Sequence, residues 1–226
     1  LWVRDVATGA DQQLTTDGVK DYGYATDNAG WIRSDSPVLV WSPDSKKIAT
    51  FQQAQRKTGE MYLVNTAAGH PTLSAWKYPL PGDEFITMIE RVVIEVDGPK
   101  VIRLKMGPDQ HRSSLCDDIK CGGEWVDVQW HPDGSQVSFV STSRNHQQAN
   151  LRGADATSGA IREVLEEKGE TFLESGNGKV NWKYLPGSNE AIWFSQRDNW
   201  GHLYMHDLQT GKQKYPITSG DGNVTQ

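Results

Sequence analysis

Three groups of side chains in this chain of 226 residues are of types that do chemistry, and their spacing decides what each could do. His202 and His206 stand four apart, the separation that puts two imidazoles on one face of a helix within reach of one zinc ion. The residues around them read as a strand, where a rise of ~3.3 Å per residue holds them ~13 Å apart, too far to share a metal. They are expected to be surface histidines on a sheet. His111, Cys116 and Cys121 are ligand types as well, but their spacing matches no zinc pattern, and Asp117-Asp118 would be unusual in such a site. The two cysteines are compatible with a small loop disulfide or with free thiols. Glu166-Glu167 could capture a cation, yet beside Lys168 and Glu170 the pair reads as a solvated acidic turn.

Covalent catalysis has no signature here. An α/β-hydrolase exposes its serine on a strained Gly-x-Ser-x-Gly elbow, and no two glycines lie four apart with serine midway. Phosphate-binding, dinucleotide-binding and calcium-binding loops are missing too. The sequence therefore predicts no catalytic residue, no metal site and no cofactor within the chain. Asn223-Val224-Thr225 is a glycosylation sequon that has meaning only in a secreted eukaryotic protein.

Chemistry gives way to scaffold once the repeats are read. Trp41-Ser42-Pro43-Asp44-Ser45, followed by the apolar run through Phe51, returns as Trp130-His131-Pro132-Asp133-Gly134 before Val137 and Phe139. It returns more loosely as Trp182 to Phe194 around Pro186-Gly187. Each reads strand, tight turn, strand, with proline presetting the first central φ of the turn. A second element, an apolar strand, an Asn or Asp and a turn closing on glycine, occurs at Leu1 to Gly9, Met61 to Gly69, Leu151 to Gly159 and Leu203 to Gly211. From tryptophan to closing glycine the three complete pairs span 28, 29 and 29 residues. Two hairpins within about 45 residues make one four-stranded propeller blade.

The fold expected is all-β: a partial β-propeller of about three full four-stranded antiparallel blades, part of another blade and an extra hairpin, forming one domain over residues 1–226. Ile89 to Met106 reads as a hairpin around Asp97-Gly98, either completing a degenerate blade or inserted between blades. Residues 107–124 read as a long loop, and Glu163 to Glu174 as a strand ending in an acidic turn. Since Leu1 enters at the second element, an open fragment is expected, continuing in both directions or closing with another chain. Nine tryptophans and 22 glycines suit many short strands packed through aromatic layers. A net charge of −6 without a basic stripe argues against nucleic acid as a partner. No apolar run reaches the ~20 residues of a membrane helix.

The order of these elements resembles the β-propeller of the dipeptidyl peptidase IV branch of the prolyl oligopeptidase superfamily. Its points are Asp21-Tyr22-Gly23-Tyr24 ahead of Trp41-Ser42-Pro43-Asp44, then Tyr78-Pro79-Leu80-Pro81-Gly82, Leu115-Cys116-Asp117 leading to Trp130, and Arg197-Asp198-Asn199-Trp200-Gly201-His202. The resemblance implies a propeller that gates and lines a peptide cavity shared with a Ser-Asp-His α/β-hydrolase domain of the same chain. It also implies a secreted or periplasmic location, and a homodimer of the parent is compatible with it. The family carries a glutamate pair within Asp-Trp-Val-Tyr-Glu-Glu-Glu that holds the substrate's N-terminal ammonium. Here Thr26 and Asp27 stand at those positions after Tyr24, so Tyr24, Thr26 and Asp27 become the candidate residues for the substrate N-terminus. One short carboxylate compensates a desolvated ammonium less than two do, so strict dipeptide trimming is not implied. The competing reading is a non-enzymatic propeller whose face binds a protein or small molecule.

Overall fold

A computed structural model describes residues 1–26, 36–110, 128–173 and 182–225. Seventeen strands run in chain order through the described residues. A two-stranded ribbon of β1 (Trp2–Arg4) and β2 (Asp11–Gln13) comes first. The first full blade contains β3 (Val40–Trp41) and β4 (Lys47–Ala54). A separate hairpin of β5 (Glu60–Asn65) and β6 (Thr72–Lys77) follows. The chain then returns to the blade with β7 (Met88–Glu95) and β8 (Lys100–Arg103), and β9 (Asp109–Gln110) pairs with the start of β7. The second blade is β10 (Val128–Trp130), β11 (Gln136–Thr142), β12 (Gln148–Asp155) and β13 (Ile161–Lys168). The third is β14 (Trp182–Leu185), β15 (Glu190–Ser195), β16 (His202–Asp207) and β17 (Gln213–Pro216). All pairings are antiparallel, and the second and third blades run in simple sequence order.

The first repeat departs from the expected blade. Its Met61–Gly69 copy does not follow β4 in the sheet; β7 takes that place over eight residue pairs, from Lys47↔Glu95 to Ala54↔Met88. The Ile89–Met106 hairpin therefore completes the blade, and β5–β6 is the extra hairpin. Tyr62, Leu63, Val64 and Leu73 on that hairpin are all more than half exposed.

Turn chemistry explains the repeats. Asp44 Oδ1 accepts from Ser42 Oγ at 2.6 Å and Lys46 N at 3.2 Å, and Asp133 Oδ1 accepts from Ser135 N at 2.9 Å. Ser45 and Gly134 occupy the same left-handed turn position, with φ of 57° and 67°. In the second element Asp5, Asp155 and Asp207 each accept at Oδ1 from the backbone N–H three residues on, at 2.7 Å in every case. The closing Gly9, Gly159 and Gly211 have φ of 73°, 70° and 71°. At Gly159 and Gly211 there is a second constraint. A Cβ would come within 2.3 Å of the Arg103 carbonyl oxygen and 1.9 Å of that of Val164, so these turns lie directly against the outer strand of the preceding blade.

The core lies between blades. Alternation along β11 sends Phe139 and Val137 toward Phe51, Ile89 and Val93 of the first blade. Val140 points the other way, packing with Leu151, Trp182 and Trp193 against the third. Leu14 and Tyr24 join Ile48, Val92 and Ile94 on the first blade's opposite face. Each large side chain buried in these layers contributes roughly 1.5–3 kcal/mol.

Several expectations change with the structure. His202 and His206 lie in a strand as expected, but they are buried rather than at the surface. His202 bonds Thr218 Oγ1 and the Gly220 carbonyl, and His206 Nδ1 bonds the Gly211 carbonyl at 3.1 Å. Those bonds satisfy both ring nitrogens of His202 and Nδ1 of His206, while His206 Nε2 is buried without a partner among the described residues. Glu166 and Glu167 sit within β13, not in a solvated turn: Glu167 accepts from Trp193 Nε1 and Ser195 Oγ across the blade interface. Asp109 belongs to β9 rather than to a loop. His111, Cys116 and Cys121 fall outside the described residues. Among the described residues no helix is long and apolar enough to cross a membrane, and no three His, Cys, Asp or Glu side chains group as a metal site.

Candidate functional site

The segment ending at Thr26 is laid against β4 as a continuation of β3. Backbone bonds run from Gln55 N to Asp21 O at 3.0 Å, Gln53 N to Gly23 O at 2.8 Å and Ala25 N to Phe51 O at 2.9 Å. The chain leaves β4 at Thr26 and rejoins it near Val38, whose N–H donates to Ala25 O at 2.9 Å. The first-strand edge of this blade is thus built from two pieces, residues 21–25 and Val40–Trp41. Ala25 is held between those two bonds with φ of 54°, a conformation that costs an alanine ~1–2 kcal/mol. Strain of this kind persists only where the surroundings over-determine it, and it concentrates at binding sites.

Tyr24 points into a polar cluster between the first ribbon and the first blade. Its hydroxyl donates to Asp17 Oδ1 at 2.8 Å and accepts from Arg103 Nη2 at 3.1 Å. The same guanidinium reaches Asp17 Oδ2 at 2.8 Å, Gln52 Oε1 at 2.7 Å and Glu90 Oε2 at 3.1 Å. Tyr22 donates to Glu90 Oε2 at 2.8 Å, and the Arg56 guanidinium lies 3.8 Å from its ring centre. Burial, and then the bond to Asp17, pushes the Tyr24 phenol well above the ordinary tyrosine range. The same bond holds the Asp17 carboxyl below the ordinary range. A phenol kept neutral in this way positions backbone and does not transfer protons near neutral pH.

Thr26 is partly buried, and its hydroxyl donates to Gln53 Oε1 at 2.6 Å. Gln53 is buried and its Nε2 has no hydrogen-bond partner among the described residues, which leaves a donor beside the Thr26 hydroxyl. Asp27 lies outside the described residues. The structure thus brings Tyr24 and Thr26 to opposite faces of one strand edge, Tyr24 toward Gln52 and Arg103, Thr26 toward Gln53. Arg103, Glu90 and Gln53 were not legible as partners of this segment, because their contacts with it span 27 to 79 residues of sequence, whereas Asp17 lies only 7 residues from Tyr24. The nearest signal was the Ile89 to Met106 hairpin, whose polar positions Glu90 and Arg103 interrupt apolar strands.

Chemically, the cluster offers charge and hydrogen bonds but no nucleophile paired with a base. Two structures of known proteins share the fold. A crystal structure of Porphyromonas gingivalis dipeptidyl peptidase 4 superposes with a TM-score of 0.78 at 16% identity, covering 100% of this chain and 30% of that one. A Bacteroides ovatus protein assigned provisionally as a dipeptidyl aminopeptidase IV superposes with a TM-score of 0.70 at 18% identity, covering 97% and 33%. This chain therefore spans about a third of the length of the proteins it resembles, and at these identities the likeness speaks for fold alone. The sequence itself matches the family of the dipeptidyl peptidase IV (DPP IV) N-terminal region over residues 1–226. With one five-stranded and two four-stranded antiparallel blades and that match along its whole length, the chain belongs to the dipeptidyl peptidase IV N-terminal region family.

Proposed function

We infer that these 226 residues form one non-catalytic propeller unit of a dipeptidyl-peptidase-IV-like serine peptidase, lining and gating a peptide cavity shared with an α/β-hydrolase domain of the same protein. The observation that carries this reading is the family match along the whole chain. The strained Ala25 and the departure of the chain from the blade at Thr26 support placing the substrate's N-terminal ammonium near Thr26 and Asp27. A peptidase of this kind acts in the periplasm or outside the cell. The exposed apolar strip on β5–β6 supports a homodimer of the whole protein formed through that hairpin.

Xaa-Pro chromogenic dipeptides test the reading directly. The 226-residue chain alone is expected to leave them intact, and the full-length protein to cleave them with sensitivity to serine-directed inhibitors. In the full-length enzyme Asp27→Asn should weaken substrates with a free amine more than N-blocked ones; equal effects would remove Asp27 from the site. A Leu63→Asp variant that stays dimeric in light scattering would remove the hairpin from the dimer.

A further inference from the structure

Between the first and second blades lies an open cleft of about 620 Å³, floored by Asp109 and walled by Lys105, Ser141, Arg152 and Glu163. Its volume is in the ~300–1,000 Å³ range of small-molecule sites. Asp109 is buried, and its Oδ2 is committed: it accepts from Arg91 Nε at 2.7 Å and Ser141 Oγ at 2.7 Å. Its Oδ1 accepts no hydrogen bond among the described residues, and Arg152 Nη1 lies 3.7 Å from it. Arg152 gives Nε to Glu163 at 2.7 Å and Nη1 to Ser141 at 3.1 Å, so its Nη2 has no bond among the described residues. Lys105 has no ion-pair partner among them.

Asp109 Oδ1 is the acceptor that this otherwise buried residue turns to the cleft, and with no donor among the described residues it is open to one from a ligand. Here it borders a cleft that also presents two incompletely used cations. A simple anion would be drawn to Lys105 and Arg152 but repelled by Asp109 and Glu163; a simple cation would meet the reverse. A molecule carrying both signs a few ångströms apart satisfies all of them. We propose that this interblade cleft binds a small zwitterion, an amino acid or dipeptide. Its carboxylate lies toward Lys105 and Arg152 and its ammonium donates to Asp109 Oδ1. This site is separate from the Thr26 edge and does not depend on the peptidase reading.

Calorimetric titration of the full-length protein with glycylglycine tests the proposal, alongside N-acetyl-glycylglycine and glycylglycine amide. The free dipeptide is expected to bind, and either blocked form to bind about tenfold or more weakly, the loss expected for one charge-assisted hydrogen bond. Lys105→Gln and Arg152→Gln should each weaken the free dipeptide to a similar degree while leaving the far-ultraviolet spectrum unchanged. These two variants spare the buried Arg91–Asp109 pair, whose removal would endanger folding. Absence of binding at millimolar dipeptide, acetylated dipeptide binding as well as the free form, or full affinity in Lys105→Gln would each overturn the proposal.

Discussion

Replacing Gly211 by alanine isolates the contact that sets the distance between blades. Two costs are expected. Alanine at φ of 71° takes the left-handed penalty of ~1–2 kcal/mol, partly offset by ~0.4–1 kcal/mol from a less flexible unfolded chain. The second cost is steric: the new Cβ would sit 1.9 Å from the Val164 carbonyl oxygen, a backbone atom that cannot rotate aside. Forcing the blades apart to admit it costs a further ~1–3 kcal/mol, the range found for overpacked cores. The net expectation is ~2–4 kcal/mol. Gly134 is the internal control, since its φ of 67° is nearly the same while its Cβ position is 3.5 Å from the Asp44 carboxylate, an ordinary van der Waals contact. The first repeat even places a serine, Ser45, at that turn position. Gly134→Ala should therefore cost ~1 kcal/mol or less. Urea denaturation followed by tryptophan fluorescence reads both as midpoint shifts at constant slope. Equal shifts for the two variants would mean that only backbone conformation matters, and the close-packing argument would fail.

Acid should loosen the same interfaces. His131, stacked on Tyr184 at 4.4 Å between centroids, and the buried His206 both have pKa values lowered chiefly by desolvation, so the folded state prefers them neutral. Their contribution is fully present above the unfolded value of ~6.5 and is lost as pH falls through the lowered folded values. Denaturation midpoints at about pH 7 and about pH 5 should thus converge in a His131→Asn/His206→Asn double variant relative to the parent; an unchanged difference would assign the acid response elsewhere. Ala25→Gly relieves left-handed strain worth ~1–2 kcal/mol against a glycine entropy cost of ~0.5–1 kcal/mol, so thermal melting should show no loss and up to ~1 kcal/mol of gain. A clear loss of stability would show that the Ala25 methyl, not the backbone bonds, holds the segment.

Much of the fold was open to reading because it is local. A proline-aspartate turn between apolar strands specifies a hairpin through hydrogen bonds made within three residues, as at Asp44 and Asp133. The same holds for the glycine-closed turns at Asp155 and Asp207. The misplaced copy at Met61–Gly69 shows where locality ends. It has the right strand and the right spacing, and it does form a hairpin, with Asn65 Oδ1 accepting from Ala67 N, two residues on and not three, at 2.9 Å. What differs is its glycine: φ is 113° at Gly69, and nothing lies within 4 Å of its Cβ position, whereas Gly159 and Gly211 press on a neighbouring blade. Burial was misjudged for a similar reason. Polarity suggested that His202, His206 and Glu167 belong outside, but His202 and Glu167 meet partners 16 to 28 residues away, and His206 bonds Gly211 of its own turn.

By itself the sequence determined that the chain is all-β, that it counts out about three blades, and that it carries no serine elbow or phosphate loop. Turn geometry and strand alternation are properties of neighbouring residues, so they survive without a structure. Tertiary structure decided which hairpin joins the first blade, because β4 can pair with only one following strand and β7 buries Ile89, Val92, Val93 and Ile94 where β5 would have offered half-exposed positions. It also decided that Tyr24 is anchored by Arg103 across 79 residues, and that one oxygen of Asp109 accepts no hydrogen bond among the described residues beside a charged cleft. Such pairings depend on where remote strands come to rest, and no pattern of adjacent residues encodes that.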